Sequence, residues 1–227
     1  MLNEILDFIF PKISLISDLR IQTGNTNQYL NDEDVLSIPK VTYADLEELN
    51  EKLIADISFS YFSFREEDEF SKIIYQLKYG GMKKLGVFLG ELIGHELQIV
   101  LETNNIKQFD YILPVPLFKT KLRERGFNQS EYICKGIVQY INSELITDLV
   151  LRVRHTSTQT KLNRDERIFN VKNAFVINEK YKKDINGKRI LIVDDVITTG
   201  STLNEVIKVL KDNNCAEVMA CTLAMAR

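Results

Sequence analysis

Cysteine is scarce in this 227-residue chain, positive charge is not in excess, and no apolar run is long enough to cross a bilayer. The three cysteines, Cys134, Cys215 and Cys221, lack the paired spacing of a metal site, and Cys134 and Cys221 fall inside apolar patterns that suit buried thiols. Such usage fits a reducing compartment and points to the cytoplasm. The opening MLNEILDFIF carries acids within a short apolar run and has no basic lead, so no signal peptide is expected. No stretch approaches about 20 apolar residues, and membrane insertion is not expected. A formal charge of -3 excludes a wholesale nucleic-acid coat and confines any such contact to local patches.

The residues present read as two parts. Residues 1–56 have a polar middle, QTGNTNQYLNDEDVLS, and one short amphipathic helix candidate, ADLEELNEKLIADI; they form an appendage. From residue 57 to 227 strands and helices alternate. ISFSYFSF reads as a strand, EFSKIIYQLKY and KKLGVFLGELIGHEL as helices, and FDYILPV as a buried strand. A helix from Gln129 to Ile141, a strand ITDLVLRV, a strand RILIV, a helix LNEVIKVLKD and a strand VMACTLA follow. This order predicts an α/β fold whose parallel sheet is flanked by helices and whose ligands gather at the carboxyl ends of the strands.

The segment ILIVDDVITTGST, Ile190 to Thr202, falls at such an end. Ile190 to Val193 read as a strand buried on both faces, and the acids Asp194 and Asp195 as its terminus. The small residues Thr198, Thr199, Gly200, Ser201 and Thr202 precede a helix, whose free N–H groups and positive pole favour phosphate. Carboxylates repel phosphate, so Asp194 and Asp195 need another partner, and a pair of vicinal hydroxyls supplies one. A phosphate beside a diol describes ribose 5-phosphate. A P-loop hydrolase would need a Lys before the Ser/Thr, which is absent. A receiver domain would need far more chain beyond its paired acids. A buried strand running into a Thr-capped helix explains the cap, but not the acids beside a glycine-containing cradle.

This motif resembles the 5-phosphoribosyl diphosphate signature of type I phosphoribosyltransferases. LKYGG (Leu77 to Gly81), DYILPVPLFKTKLRERGFNQSEYICKGI (Asp110 to Ile137) and RHTSTQTKLNRDERIFNVKNAF (Arg154 to Phe175) resemble the ComF family more narrowly, over about residues 57–227. The resemblance implies a type I phosphoribosyltransferase-like domain. It also implies that Pro114, Val115, Pro116, Lys121, Arg123 and Arg125 form a pyrophosphate-binding loop, with Mg²⁺ bridging the ligand's oxygens. A solvated basic helix start is the alternative for that stretch. Arg152, Arg154, Lys161, Arg164 and Arg167 resemble a flexible loop that closes over the transfer site, with an ordinary exposed loop as the alternative. His155 and His95 support no catalytic claim, and His95 sits at a helical position. No residue is assigned a catalytic role, because loss of pyrophosphate needs charge stabilisation rather than a protein nucleophile.

ComF proteins commonly open with a zinc ribbon, whereas this chain reads FPKISLIS, with Ser14 and Ser17 where thiolates would stand. Hydroxyls are poor zinc ligands, so no zinc is expected. The family is implicated in natural transformation. It therefore implies a phosphoribosyl ligand such as 5-phosphoribosyl diphosphate, with single-stranded DNA and a DNA-uptake helicase as candidate partners. Phe118, Arg125 and Phe127 would suit stacking on bases. The alternative is an active phosphoribosyltransferase with a small acceptor that the sequence does not name.

Overall fold

The computed structural model describes residues 11–21, 27–154 and 172–227. The opening decapeptide, His155 and the loop candidates Lys161, Arg164 and Arg167 lie outside the described residues. The first elements are α1 (Asp32–Ser37), α2 (Tyr43–Lys52), β1 (Ile57–Phe64), α3 (Phe70–Tyr79) and α4 (Lys83–Thr103). Then come β2 (Tyr111–Pro114), α5 (Lys119–Arg125), α6 (Gln129–Ile137), β3 (Glu144–Leu145), β4 (Val150–Arg152) and β5 (Phe175–Ile177). The last are β6 (Arg189–Ile197), α7 (Ser201–Asp212) and β7 (Glu217–Ala226).

The main sheet has the order β1-β7-β6-β2-β3, and every pairing in it is parallel. Parallel strands are covered on both faces, which is why Ile190 to Val193 carry no polar side chain and are fully buried. Leu191 and Val193 join Leu89, Ile93, Ile133 and Ile137 of α4 and α6 in one apolar cluster. Ile190 and Ile192 face the other way, toward Val206, Ile207 and Leu210 of α7. The segment before Ile57 adds Leu30 and Ile38 to the first cluster and Leu49 and Leu53 to the second.

Helices α4 and α6 meet along a glycine seam. A β-carbon at Gly90 would lie 2.1 Å from the Ile133 carbonyl oxygen, and one at Gly136 would lie 2.2 Å from that of Val87. Only bare backbone permits this approach, and larger residues would force the helices apart. The seam sets the height of α6, and so the position of the residues at its N-terminus.

Three expectations change. The strand RILIV runs on through both acids to Ile197. The helix expected to reach Ile141 ends at Ile137, while KTKLRER takes the helical alternative left open for that stretch. The run ITDLVLRV is not one strand: Glu144–Leu145, just ahead of it, edges the main sheet, and Val150–Arg152 pairs antiparallel with β5 outside that sheet. Asp148 divides the run, because its carboxylate accepts hydrogen bonds from Tyr181 Oη (2.9 Å) and Asn178 Nδ2 (3.3 Å), a turn arrangement that a continuous strand would forbid.

In the appendage, Ser14 Oγ (2.5 Å), Ser17 Oγ (2.9 Å) and the Asn31 amide (3.2 Å) all donate to Asp34 Oδ2. Asp34 is buried, so one carboxylate gathers chain segments that are 17 and 20 residues away in sequence. Among the described residues no group of three or more His, Cys, Asp or Glu side chains converges to hold a metal ion. No described helix is long and apolar enough to cross a membrane.

Candidate functional site

The strand's alternation slips just where the acids stand. Leu191, Val193 and Val196 share one face, while Ile190, Ile192 and Ile197 share the other, so the phase changes between Val193 and Val196. A regular strand would send consecutive side chains to opposite faces. Here both carboxylates meet the N-terminus of α6. Ser130 Oγ donates to Asp194 Oδ1 at 3.1 Å, and Gln129 Nε2 donates to Asp195 Oδ2 at 3.0 Å.

The two acids differ in how they are satisfied. Asp195 is buried. Its Oδ2 also lies 3.3 Å from Lys78 Nζ, and its Oδ1 accepts from the Val196 amide at 2.7 Å. Asp194 is half-buried; its Oδ1 accepts from the Asp195 amide and Ser130, and its Oδ2 takes no hydrogen bond among the described residues. Burial and the adjoining Asp195 carboxylate push Asp194 up to about 7, against the opposing pull of the Asp195 amide, Lys78 and Ser130. The raised affinity belongs to the pair, which holds one proton far above the usual carboxylate range. The Gln129 Oε1 atom is buried without a hydrogen-bond partner among the described residues.

Past Ile197 the chain turns into the cradle. Gly200 adopts a left-handed φ of +74°, which an L side chain resists, and a β-carbon there would also lie 3.0 Å from Leu53 Cδ2. It caps α7, whose first internal bond runs from the Asn204 amide to the Gly200 carbonyl at 2.9 Å. Of the earlier amides of that turn, that of Ser201 reaches Thr199 Oγ1 at 3.5 Å, and those of Thr202 and Leu203 have no partner among the described residues. Thr199 Oγ1 and Ser201 Oγ lie 3.1 Å apart at the rim, and Thr198 is exposed beside them. The five expected cradle residues are therefore contiguous with the acids.

The second group of expected residues assembles in part. Pro114 ends β2; the Val115 amide donates to the Val193 carbonyl at 2.8 Å, and the Val115 carbonyl accepts from Asn128 Nδ2 at 3.0 Å, which fixes the exit through Pro116. Burial, followed by the charges of Arg152, Arg125 and Lys78, holds the Lys121 ammonium below its usual range. Of these, Lys78 contacts the acid pair, its ammonium 3.3 Å from Asp195 Oδ2. Burial also lowers Arg152, opposed by Asp194, and its guanidinium lies 5.2 Å from the centre of the Phe175 ring. Lys121 and Arg125 lie four residues apart on one face of α5, whereas Arg123 projects from the opposite face and is exposed. Arg154 is exposed at the end of β4. Phe127 is buried edge-on against Tyr132, which removes it as a stacking surface, and Arg125 covers Tyr79 instead, 5.4 Å from its ring centre. His95 stands edge-on to Tyr140 on the outer side of α4.

The residues that grip the acids are ones to which the sequence assigns no role: Lys78 of LKYGG, and Gln129 and Ser130 following RGFN. The available signal is an Asn-Gln-Ser run opening a helix, in which Asn128 caps by accepting from the Ser130 amide at 3.2 Å.

Residues 140–227 match the family model described as phosphoribosyl transferase domain. The chain is 33% identical to the DNA utilization protein YhgH of Escherichia coli over 67% of its own length and 66% of that protein's. It is also 33% identical to competence protein F of Haemophilus influenzae, over 69% of its own length and 68% of that protein's. Among solved structures, the hypoxanthine phosphoribosyl transferase of Trypanosoma cruzi aligns with 64% of this chain and 67% of its own at 12% identity, with a TM-score of 0.40. Identity at this level across two thirds of a competence protein, joined to the phosphoribosyl transferase match, makes the chain a member of the ComF family.

Proposed function

We propose that this chain binds a 5-phosphoribosyl diphosphate-type ligand in the cytoplasm and serves as an accessory factor in DNA uptake. The observation that carries the ligand reading is the pairing of opposites. Lys78 reaches Asp195 at 3.3 Å, the charges of Lys78, Arg125 and Arg152 bear on Lys121, and a helix N-terminus lies at the end of the same strand. Crowded cations lower one another's charge affinity unless an anion joins them, and pyrophosphate supplies that anion. The cradle takes the 5-phosphate. The unengaged Oδ2 of Asp194 takes a ribose hydroxyl, while Asp195, held by Gln129 and Lys78, backs it from behind. Mg²⁺ suits the same place, since it prefers one or two carboxylates together with phosphate oxygens, and when bound it neutralises charge on the departing pyrophosphate. The uptake role rests on the names of the competence relatives.

A second reading, active transfer of ribose 5-phosphate to an acceptor, is favoured by a cavity of about 880 Å³ that Lys78 and Thr198 border on the side of β6 away from β2. Calorimetric titration with 5-phosphoribosyl diphosphate and Mg²⁺, beside a short single-stranded oligonucleotide, tests the main reading. The expected result is saturable binding of the first ligand that is weakened by Asp194→Asn. Oligonucleotide binding should ignore that change but weaken with Arg125→Ala, with a shallower salt dependence. Absence of any heat with the phosphoribosyl ligand would overturn the proposal.

A further inference from the structure

A cavity of about 470 Å³ lies between the appendage and helix α4, and neither the acids nor the cradle line it. Its volume falls within the range of small-ligand sites. Helix α4 lines it with Lys84, Val87, Phe88 and Glu91, positions i, i+3, i+4 and i+7, while Leu85, Leu89 and Ile93 of the same helix enter the core. This stripe is graded along the helix axis. A cation stands at its N-terminal end, apolar side chains occupy the middle, and a carboxylate closes it about 10 Å further on, at 1.5 Å of rise per residue.

The appendage supplies the opposite wall with Lys12, Asn27 and Tyr29. The Tyr29 ring stands 6.0 Å from that of Phe88, tilted by 35°, so the two form one half-buried aromatic surface. Neither Lys12 nor Lys84 has a carboxylate partner among the described residues. Asn27 Oδ1 accepts from the amides of Tyr29 and Leu30, each at 2.8 Å, which leaves its amide nitrogen as a donor on the wall. Glu91 is engaged through one oxygen, Oε1, which accepts from Gln139 Nε2 at 3.0 Å. Two cations without acids, set beside two rings, suit an anion carried on an aromatic body. The Glu91 carboxylate repels a second anionic group at the other end and accepts from a donor instead.

We propose that this cavity binds a small aromatic phosphate monoester. Lys12 and Lys84 hold the phosphate, the ring lies on Tyr29 and Phe88, and a donor at the far end of the ligand meets Glu91. This second ligand site does not depend on the phosphoribosyl reading.

The isotope-labelled full chain is titrated with phenyl phosphate, with inorganic phosphate and benzyl alcohol as its separate halves, and amide shifts are followed residue by residue. Phenyl phosphate should saturably shift the amides of residues 27–30 and 84–88 and bind there about tenfold tighter than either half, the scale of an aromatic contact added to an ion pair. Lys12→Ala and Lys84→Ala should each weaken it about threefold while leaving any response of the cradle amides 201–203 unchanged. Para-aminomethylphenyl phosphate, which carries an ammonium opposite its phosphate, should bind about threefold tighter than phenyl phosphate, a gain that Glu91→Gln removes. No shifts, shifts confined to the cradle, or an affinity at residues 27–30 and 84–88 that ignores both lysine substitutions would overturn the site. Equal binding of inorganic phosphate and phenyl phosphate there would overturn the aromatic half of the proposal. An absent ammonium gain, or one that survives Glu91→Gln, would overturn the part given to Glu91.

Discussion

Asp34 and the Asp194–Asp195 pair both draw distant segments together through carboxylates, but they do so under opposite conditions. Asp34 is buried while its acidic neighbours Asp32 and Glu33 are exposed, and one of its oxygens accepts from two hydroxyls and an amide. The pair sits near the carboxyl end of β6, two carboxyl groups side by side, with Lys78 3.3 Å from one and an oxygen of the other taking no hydrogen bond among the described residues. A carboxylate surrounded by neutral donors is satisfied, and its role is to hold the chain. Two adjacent carboxylates, one paired with Lys78 and the other pushed toward protonation, are the arrangement of a functional site rather than of a structural anchor.

Substitutions should separate the two roles. Asp34→Ala strands three donors that had a charged acceptor, two of them serine hydroxyls, and should lower unfolding free energy by about 3 kcal/mol in a denaturant titration. It should leave affinity for 5-phosphoribosyl diphosphate little changed in the protein that remains folded. Asp194→Asn should do the reverse. Stability is held or raised by relief of like-charge repulsion, and ligand affinity falls by roughly 2 kcal/mol as a charged hydrogen bond is lost. Equal stability losses at the two positions would erase the distinction.

Proton linkage sharpens it further. Because the folded pair holds a proton up to about 7, its contribution to stability is full below the unfolded carboxylate value and is lost as pH rises through about 7. Ligand binding has the opposite slope, since a diol or a magnesium ion competes with that proton: affinity should rise between about pH 6 and 8. Asp194→Asn should flatten both slopes, as read by thermal melts and calorimetry across that range. The smallest expected effect concerns the helix face. Arg125→Ala should weaken the phosphoribosyl ligand by about 1 kcal/mol, whereas the exposed Arg123→Ala should change it by less than about 0.5 kcal/mol.

The strand and cradle from Ile190 to Thr202 are readable in the sequence because an apolar run, two acids and a glycine-containing turn are all local signals. The parallel sheet follows from the alternation of strand and helix. Gln129 and Ser130 are not readable in the same way, because they reach the acids across 66 and 64 residues, a distance fixed by the glycine seam between α4 and α6 rather than by any short-range pattern. The inequality of Asp194 and Asp195 is hidden for the same reason: adjacent identical residues look equivalent until their partners are known. Arg123 and Arg125 look equivalent in a basic loop and are separated only once that loop coils into α5. The splitting of ITDLVLRV depends on Asn178 and Tyr181, 30 and 33 residues away from Asp148.

The most direct measurement is a paired calorimetric titration of the wild-type chain and Asp194→Asn with 5-phosphoribosyl diphosphate and Mg²⁺ near pH 8, where the wild-type carboxylate is ionised. Wild-type binding should be saturable, with the variant weaker by at least about tenfold, close to the 1.4 kcal/mol equivalent of one charged contact, and no less stable. Equal affinity in the two proteins would contradict the assignment of Asp194 to a ribose hydroxyl and reduce the Thr198–Thr202 cradle to an ordinary helix start.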